Sequence, residues 1–414
     1  MVKVIINSYF PLLVPVLSNK FRLYPNREEE RKLLRAKNLC RLAYNRLLEE
    51  HNAGTIDHNE LSKFLTQLKK GWPELNEVYS KCLQPEVDRL FSNIASLEER
   101  RKSDRDVGKL RYKGERWFKT FTYNQSGFKI LPKNDKFGIL HLSKIGDIPI
   151  RIHRPIEGEI KQVTIKHMPS GKWYAYVIVD KGKGVPELSA IDKAVGLDVG
   201  LRSYIVDSDG NEVENPRHLK QALKKLRREQ RRLGRKQKGS NNREKQIIVV
   251  ARTHERVQNQ RNDFQHKVSR EYVNNYDLIV TEKLQPSNMV KDRRLARSIS
   301  DASWSSLNDK LAYKAENAGN LFVQVDPRNT SQLCSSCNTL VPKSLSQRVH
   351  DCPTCGFHDT RDHNSSLVIL DRGLQKVRSE RPELTLVDIR PLQRPSSLLH
   401  VGWLKQEAPP LRAE

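Results

Sequence analysis

Two pairs of cysteines stand close to an acidic residue in the C-terminal third of the chain. Cys334 and Cys337 form the first pair, Cys352 and Cys355 form the second, and Asp362 follows seven residues later. A gap of two residues lets each pair grip one ion from a tight turn, and zinc prefers four soft ligands in a tetrahedron. The 14 residues between the pairs suit a ribbon hairpin. The spacing therefore predicts a zinc site formed by four thiolates.

Two disulfide bonds are the alternative use of these thiols. The apolar stretch from Phe10 to Leu17 contains two prolines and lacks a small-residue cleavage signature, so the chain shows no secretory context. Cys40 and Cys82 stand alone in segments with helical periodicity, as reduced core thiols do. These observations favour zinc over disulfides.

Three acidic residues occupy positions where a charge is costly unless it is used. Asp198 interrupts the apolar segment 195–199, Glu282 directly follows the apolar segment 278–280, and Asp362 opens a predicted helix. Strand ends are where α/β sheets gather their ligands. Clustered carboxylates repel one another, and Mg²⁺ or Mn²⁺ with hard oxygen ligands relieves the repulsion. Two such ions could activate a water and stabilise the leaving oxygen of a phosphodiester, so hydrolysis of that bond is the chemistry to test.

Each acid taken alone has a simpler structural interpretation. Asp198 could cap a turn, Glu282 could pair with a nearby basic residue, and Asp362 could be a helix N-cap. Spacing along the chain does not by itself bring the three together. Asp207 and Asp209 are predicted to belong to an ordinary hairpin turn rather than to a metal site.

The overall charge of the chain predicts a polyanionic partner. The 414 residues carry a formal net charge of +25, from 74 Lys and Arg against 49 Asp and Glu, and the pI is about 9.8. Nucleic acid is the first candidate, and an anionic membrane surface is the competing one. No run of about 18 apolar residues is present to span a bilayer. We therefore expect no membrane partner and a cytoplasmic, nucleoid-associated location.

Basic residues are concentrated in two stretches. Between Arg217 and Arg261 there are 16 Lys or Arg and three acids, and a second basic group follows Glu282. Like charges at helical spacing cost stability unless a counter-charge arrives, so a phosphate backbone explains them better than a solvated helix face. The predicted nucleic-acid contacts are Lys224, Lys225, Arg227, Arg228, Arg231, Arg232, Arg235, Lys236, Arg293, Arg294 and Arg297.

The N-terminal half reads as a strand, a helical region and then further strands. A strand over 20–24 ends at Pro25, and Asn26 is placed to cap the next helix. Helical periodicity continues to about residue 105, and β patterns from residue 108 predict a small barrel that the first strand joins. Aromatic residues interleaved with basic ones at 117–128 are expected either to stack on bases or to fill the barrel core.

The C-terminal half follows a polar linker at 181–186. Apolar segments at 194–199, 203–207, 277–281 and 321–325 predict short buried strands, and two long basic helices lie between the second and third of them. Strands alternating with helices imply an α/β core.

Several motifs resemble those of the TnpB family, RNA-guided nucleases of bacterial and archaeal insertion sequences that are related to type V CRISPR effectors. The resemblance covers about residues 20 to 369. Its most specific motifs are Phe21–Pro25, Gly196–Gly200, Ile279–Leu284, Ser298–Trp304, Thr330–Cys337 and Arg361–Asn364.

The resemblance implies a RuvC-like nuclease of RNase H fold, in which Asp198, Glu282 and Asp362 are the catalytic acids and bind Mg²⁺ or Mn²⁺. The four cysteines would form a zinc-bearing insert that binds the target nucleic acid. The implied partners are a transposon-derived guide RNA and a matched double-stranded DNA target, with the protein as a monomer. Base pairing would read the target sequence, while the protein reads a short flanking motif. The implied activity is metal-dependent hydrolysis of DNA phosphodiester bonds.

The fold class predicted in this way is α/β with all-β and helical parts. The predicted domains are an N-terminal extension with the first barrel strand at 1–30, a helical recognition domain at 31–107, a β-barrel (wedge) domain at 108–186, a RuvC-like nuclease domain at 187–329, a zinc-ribbon insert at 330–357, a last RuvC segment at 358–376 and a disordered tail at 377–414.

The chain departs from the family pattern in a few places. Asn338 replaces the glycine that commonly follows the first cysteine pair, although asparagine tolerates the left-handed conformation that a tight turn needs. Ser365, Ser366, Val368 and Ile369 replace the two alanines and the Asn-Ile pair of the last motif. The small side chains at 365 and 366 are expected to preserve close packing.

Two other functions would explain part of the sequence. A DNA-binding repressor or transposition regulator, guided by RNA or unguided, would need no carboxylates at positions 198, 282 and 362. A zinc-ribbon RNA-binding factor of the translation machinery would explain the charge and the cysteines but would leave those acids unused. The acids therefore favour the nuclease.

Overall fold

The computed structural model describes residues 16–54, 57–102, 107–182, 184, 186, 188, 190–344, 346–382 and 384–386. The predicted N-terminal extension before residue 16 and the predicted tail from residue 387 lie outside this range. Contacts divide the chain into two compact units, residues 1–185 with 222–259 and residues 186–221 with 260–414. No helix in the described part of the chain is both long and apolar enough to cross a membrane.

The first unit combines one large sheet with three long helices. Its helices are α1 (Arg27–Ala53), α2 (His58–Gly71) and α3 (Ser80–Lys102), with a short 3₁₀ helix at Pro73–Glu77. Its strands are β1 (Val16–Leu23), β2 (Thr120–Asn124), β3 (Phe128–Pro132), β4 (Phe137–Leu142), β5 (Gly146–Arg151), β6 (Glu159–His167) and β7 (Trp173–Asp180).

The seven strands form an antiparallel sheet in the order β2-β6-β7-β1-β5-β4-β3. Strand β1 pairs with β7 along its whole length and with β5 at its end, which confirms that the first strand joins this sheet. Because β2 and β3 are its edge strands, the sheet is an open half-barrel and not the closed barrel we predicted. The turn between these edges packs on Tyr79, whose ring stacks on Tyr123 at 5.9 Å and would meet a Cβ at Gly127 at 2.3 Å.

The helices and the sheet of the first unit share one hydrophobic core. Asn26 caps α1 in a capping box with Glu29, as the sequence indicated. The apolar faces of α1 and α3 then pack on the inner face of the sheet, and Leu39, Phe121 and Val177 belong to the same buried cluster. An amphipathic helix must bury its apolar stripe, and the nearest apolar surface is this sheet.

The second unit contains a smaller mixed sheet and most of the remaining helices. Its strands are β8 (Ala190–Ile191), β9 (Ala194–Val199), β10 (Ser203–Asp207), β11 (Glu212–Glu214), β12 (Leu278–Glu282), β13 (Leu321–Val325), β14 (Val349–Asp351), β15 (His358–Thr360) and β16 (Thr385–Leu386). Its helices are α6 (Pro286–Met289), α7 (Ala296–Ala302), α8 (Trp304–Ala318) and α9 (Arg361–Glu380). Helices α4 (His218–Gly234) and α5 (Asn241–Asn275) contribute to both units.

The main sheet of the second unit has the order β11-β10-β9-β12-β13. Strand β10 runs antiparallel to β9, whereas β12 runs parallel to both β9 and β13. Helix α9 packs directly on this sheet. A Cβ added at Gly196 of β9 would lie 2.2 Å from the Ser366 carbonyl oxygen, and a Cβ added at Gly373 would lie 2.3 Å from Val280 Cγ2 of β12. Helix α9 and strands β9 and β12 therefore touch with no room for a side chain at these two glycines.

Segment 187–329, predicted as one domain, contributes to both units. In residues 222–259, the buried Glu255 accepts a hydrogen bond from the Tyr174 hydroxyl at 2.9 Å and pairs with Lys172 at 3.1 Å. Arg252 also donates to the Ser170 carbonyl oxygen at 3.3 Å. These polar contacts attach the first half of α5 to the first unit.

The start of the segment predicted as a disordered tail lies in regular structure. Helix α9 continues to Glu380, and β16 then pairs in parallel with β8. Val377 is buried and Leu384 packs against the same apolar cluster, so burial of these side chains orders the segment that the Pro- and Arg-rich composition assigned to a tail.

Candidate active site and metal-binding ribbon

The four predicted cysteine ligands lie together in two matching turns. Asn338 follows the first pair and Gly356 the second, and both adopt a left-handed conformation, with φ of 59° and 73°. In each turn a backbone amide donates to the first cysteine, from Asn338 to the Cys334 oxygen at 2.9 Å and from Gly356 to the Cys352 oxygen at 3.0 Å. Asparagine at 338 therefore forms the same turn as glycine at 356, as we expected.

The spacing of the sulfur atoms suits one tetrahedral ion. All four Sγ atoms lie within 4.8 Å of one another, with Cys334 to Cys355 at 3.7 Å and Cys337 to Cys352 at 3.6 Å. Zn–S bonds of about 2.3 Å in a tetrahedron require sulfur separations of roughly 3.8 Å. A hydrogen bond with Thr339 lowers the pKa of the Cys337 thiol to about 6, which favours the thiolate that a metal binds. All six cysteines are unpaired by disulfides, and Cys40 and Cys82 are buried as predicted.

A buried asparagine joins the ribbon to helix α9. The Asn364 amide group donates to the Leu333 oxygen at 2.7 Å, and its side-chain oxygen accepts from the Ser335 amide at 3.0 Å. Asn364 is fully buried and lies two residues after Asp362 on the first turn of α9. The first cysteine turn is therefore fixed to the helix that carries the third predicted acid.

Asp198 and Glu282 occupy equivalent places on neighbouring parallel strands. Leu197 of β9 pairs with Thr281 of β12, so Asp198 and Glu282 are the next residues on each strand. Side chains two residues apart share a face of a strand, which puts Asp198 on the face of Gly196 and Glu282 on the face of Val280. Helix α9 packs on that same face.

Asp362 lies at the start of that helix. Thr360 is the N-cap, since its hydroxyl accepts from the His363 amide, and Asp362 is in the first turn. The interpretation of Asp362 as the N-cap is thus wrong. The charges of Glu282 and Asp362 both act on Asp198, so the three predicted acids lie near one another. Within the described residues, the one group of three or more side chains arranged to hold a metal ion is the four cysteines, whose sulfur atoms all lie within 4.8 Å of one another.

The environment of Asp198 and Glu282 disfavours the ionised forms of these two acids. Burial raises the pKa of Asp198 well above its ordinary value, and the negative charges of Glu282 and Asp362 raise it further. Burial also raises the pKa of Glu282. Mutual repulsion of this kind is relieved by a bound cation.

Two side chains that the sequence analysis did not single out contact Glu282 and Asp362. Arg361 donates from Nε to Asp362 Oδ1 at 3.0 Å and its charge lowers the pKa of Asp198. Thr330 donates its hydroxyl hydrogen to Glu282. Arg361 and Thr330 both belong to motifs on which the family resemblance rests, and Thr330 precedes the first cysteine turn. Membership of these motifs was the sequence signal that could have identified the two residues.

A further contact links the helix start to the sheet. His363 Nδ1 lies 2.5 Å from Asp359 Oδ2, and its Nε2 lies 3.2 Å from the Ser208 carbonyl oxygen. Ser208 in turn exchanges hydrogen bonds with Gly196, two residues before Asp198.

The other acids have structural partners. Arg261 pairs with Asp301 at 2.8 Å and not with Glu282. Asp207 accepts hydrogen bonds from the Asp209 and Asn211 amides, and the Gly210 amide donates to its backbone oxygen, which confirms the predicted hairpin turn.

The predicted basic contacts are all exposed. The eight residues on and after α4, Lys224, Lys225, Arg227, Arg228, Arg231, Arg232, Arg235 and Lys236, are exposed, as are Arg293, Arg294 and Arg297. The three acids of the basic stretch each form ion pairs: Glu229 with Arg228 and Arg232, Glu244 with Arg116, and Glu255 with Lys172. The excess positive charge therefore remains on the surface. Of the aromatic residues at 117–128, Phe118, Phe121 and Tyr123 fill the core, whereas Trp117 is 81% exposed.

Three family profiles match the chain. A profile described as "Probable transposase" (OrfB of IS605) matches residues 175–293, and "Cas12f1-like, TNB domain" matches residues 304–369, which include all four cysteines. A profile described as "Helix-turn-helix domain" matches residues 17–53, where the structure has strand β1 and the single helix α1.

Similar proteins extend over most of the chain. A protein of Streptomyces pristinaespiralis named "Putative RNA-guided DNA endonuclease" is 32% identical over 371 residues, covering 86% of this chain and 89% of that protein. "Putative RNA-guided DNA endonuclease InsQ" of Escherichia coli K12 is 31% identical over 380 residues, covering 86% and 91%. Among solved structures, the mini-RNA-guided endonuclease CRISPR-Cas_phi3 matches with a TM-score of 0.50 and 8% identity, covering 86% of this chain and 92% of that chain.

The fold and site thus define a mixed α/β protein in which a four-thiolate ribbon adjoins a buried group of carboxylates. Similarity over nearly the whole length of two relatives is decisive for ancestry. The chain belongs to the TnpB family.

Proposed function

We propose that the protein is an RNA-guided, metal-dependent endonuclease that hydrolyses phosphodiester bonds of DNA matched to a guide RNA. The observation that carries this proposal is the convergence of Asp198, Glu282 and Asp362 at the ends of β9 and β12 under the start of α9. The names of the relatives that match along most of the chain support the same activity.

The topology of the second unit supports a RuvC-like domain of RNase H fold. If β9 is counted as the first strand, the order across the sheet is 3-2-1-4-5. The second strand, β10, is antiparallel to the first, whereas the fourth and fifth, β12 and β13, are parallel to it. Parallel strands end at one edge, and ligands of α/β sheets collect there. The first and fourth strands of this order supply Asp198 and Glu282.

The carboxylates are the residues that would hold Mg²⁺ or Mn²⁺. Their mutual repulsion and hard oxygen atoms fit divalent cations of this type. Two such ions supply an activated water and neutralise charge on the leaving oxygen. In the protein itself, Thr330 orients Glu282 and Arg361 orients Asp362.

The four cysteines would hold a structural zinc ion and do no chemistry themselves. The sulfur separations of 3.6 and 3.7 Å support this assignment. Through Asn364, the ribbon would fix the first turn of α9 and with it the position of Asp362.

The surface charge supports nucleic-acid partners. The exposed Lys and Arg side chains of α4 would contact a phosphate backbone, with guide RNA and double-stranded DNA as the two partners. A DNA-binding regulator without nuclease activity would not require three neighbouring acids, two of them held by the side chains of Thr330 and Arg361.

Cleavage by the purified complex tests the proposal. The protein, carrying its co-expressed RNA, should cut a matched double-stranded DNA in Mg²⁺, and Asp198→Ala should lower the single-turnover rate at least 10³-fold, because a metal ligand is lost. DNA binding measured by electrophoretic mobility shift should change less than about threefold. Asp209→Ala, which removes a turn carboxylate of the same unit, is the matched control and should cut normally. Equal cutting by Asp198→Ala would refute the assignment.

A further inference from the structure

The first turn of α9 carries a histidine that the proposed mechanism does not use. His363 follows Asp362 directly, and 16% of its side chain is exposed. Its ring lies against the turn that joins β10 to β11, because a Cβ added at Gly210 of this turn would lie 3.8 Å from His363 Nε2. A largely buried imidazole needs hydrogen-bond partners for its ring nitrogens.

Each ring nitrogen of His363 has a partner in a different element. Nε2 lies 3.2 Å from the Ser208 carbonyl oxygen, and a carbonyl oxygen can only accept, so Nε2 donates this hydrogen bond. Nδ1 lies 2.5 Å from Asp359 Oδ2 of β15, which fixes the orientation of the ring. Asp359 is itself held, since its Oδ1 accepts from the Thr360 amide at 2.6 Å. The ring therefore connects the start of α9 with β15 and with the turn after β10.

The Ser208 end of this link leads to the strand that carries Asp198. The Ser208 amide donates to the Gly196 carbonyl oxygen at 3.0 Å, and the Gly196 amide donates to Ser208 Oγ at 3.1 Å. Gly196 and Asp198 lie two residues apart on the same face of β9. Two hydrogen-bonded steps, from His363 to Ser208 and from Ser208 to Gly196, thus connect the residue next to Asp362 with the strand of Asp198.

The like charges of the two acids give this link a purpose. The charge of Asp362 raises the pKa of Asp198, so the two carboxylates lie within range of mutual repulsion. This repulsion pushes the first turn of α9 away from the end of β9, and helices open most easily at their ends. Asn364 ties the same turn to the ribbon, whereas His363 ties it to the sheet.

We propose that His363 is a positioning residue of the active site, which sets the separation of Asp362 and Asp198 through its hydrogen bond to Ser208. The proposal rests on the proposed nuclease function and adds a residue that orients two of its acids. His363 acts through the backbone segments that carry these acids. Removing a residue that orients metal ligands in this way costs roughly 10- to 100-fold in metal affinity or activity.

Two amide side chains separate this role from simple packing. In His363→Gln the amide nitrogen takes the place of Nε2 and can still donate to Ser208, whereas in His363→Asn it takes the place of Nδ1 and reaches only Asp359. The RNA-loaded Gln variant should cut matched DNA in Mg²⁺ within about threefold of the unsubstituted rate. The Asn variant should cut roughly 10- to 100-fold more slowly, with DNA binding changed less than about threefold. Equal cleavage rates for the two variants overturn the proposal.

Binding of Mn²⁺ gives a readout that does not depend on cleavage. Electron paramagnetic resonance measures free Mn²⁺ in titrations of the full chain without RNA, and the sites that Asp198→Ala lacks are those of the carboxylates. The dissociation constant of these sites should rise at least about tenfold in His363→Asn and less than about threefold in His363→Gln. An unchanged dissociation constant in His363→Asn overturns the proposal.

A second histidine of the same strand provides the matched control. His358 precedes Asp359 on β15, is exposed and lies 3.8 Å from Asp351, so His358→Ala should leave the cleavage rate and Mn²⁺ binding unchanged. Cleavage by the unsubstituted protein is measured in parallel. If it fails to cut matched DNA, the proposed function fails. If it cuts and His363→Asn cuts equally fast, only the role of His363 fails.

Discussion

The carboxylates of this protein differ in how their charge is compensated. Glu229 and Glu255 have basic partners at 3.2 and 3.1 Å, whereas Asp198 has like charges as its strongest electrostatic neighbours after burial. A fold retains such repulsion only where something outside the chain offsets it, and active sites are where that happens most. The same comparison singles out one more buried acid, which lies in the first unit.

Glu86 of α3 should make the first unit less stable as pH rises. It is fully buried, and burial raises its pKa from 4.5 to about 8 despite Arg89 at 3.2 Å. The folded state therefore keeps a proton that the unfolded state loses, so this contribution to stability is present below pH 4.5 and is lost as pH rises towards 8. Glu86→Gln stays neutral and should be more stable at pH 8 by about 2–4 kcal/mol, with little difference at pH 4.5.

Thermal unfolding of both proteins at the two pH values measures this difference. Glu77→Gln, which alters an exposed glutamate paired with Arg35, is the control and should show little pH-dependent change. An equal gain in stability by Glu86→Gln at pH 4.5 and pH 8 would mean that the proton is not the cause.

At the scale of elements, helix α9 sets the geometry of the site. It touches β9 at Gly196 and β12 at Gly373, and it begins at the residues that join it to the ribbon. The position of Asp362 therefore depends on packing one to three turns away.

Gly373→Ala should move α9 off the sheet. The new Cβ would lie 2.3 Å from Val280, so the helix or the strand must shift, at a cost of about 1–3 kcal/mol. We expect a lower melting temperature and a loss of cleavage rate larger than the loss of DNA binding. Gly71→Ala is the matched control, because nothing lies within 4 Å of its added Cβ, and it should be neutral or stabilising. Unchanged cleavage by Gly373→Ala would show that α9 does not position Asp362.

Cys352→Ser should empty the ribbon of metal. The second turn would lose a ligand, zinc measured by elemental analysis should fall from about one per chain towards zero, and the C-terminal half should become sensitive to proteases. The control variant Cys82→Ala alters a buried thiol outside the cluster, and the protein should retain the zinc of the ribbon. A folded wild-type protein without zinc would refute the ribbon assignment.

The sequence predicted elements where a local pattern determines them. The capping box at Asn26, the strands β9, β12 and β13 and the cysteine turns all follow from short-range signals. Strands β4 and β5 were missed, because their short alternating segments carry turn residues and β5 joins the rest of the sheet only through its pairing with distant β1. Likewise, the turn between β2 and β3 packs on Tyr79, about 45 residues earlier in the chain, and no local pattern shows such contacts.

At the scale of the whole molecule, charge is the property that the folded core does not explain. The formal net charge of +25 is spread over exposed side chains, and the acids of the most basic stretch already have partners within the protein. Self-repulsion of this size destabilises a compact chain until an anion binds. Counterion release then predicts how binding should respond to salt.

Neutralising part of α4 should lower the salt dependence of RNA binding. The variant Arg227→Gln, Arg231→Gln, Arg235→Gln removes three exposed charges. If all three contact phosphates, the negative slope of log K against log salt should become shallower by about 2–3, since each contact contributes roughly 0.7–0.9 to its magnitude. The control removes the same charge from exposed Lys63, Lys70 and Lys133, and its slope should change by less than about 1. Equal slopes for the two variants would show that net charge, and not this helix, sets the affinity for RNA.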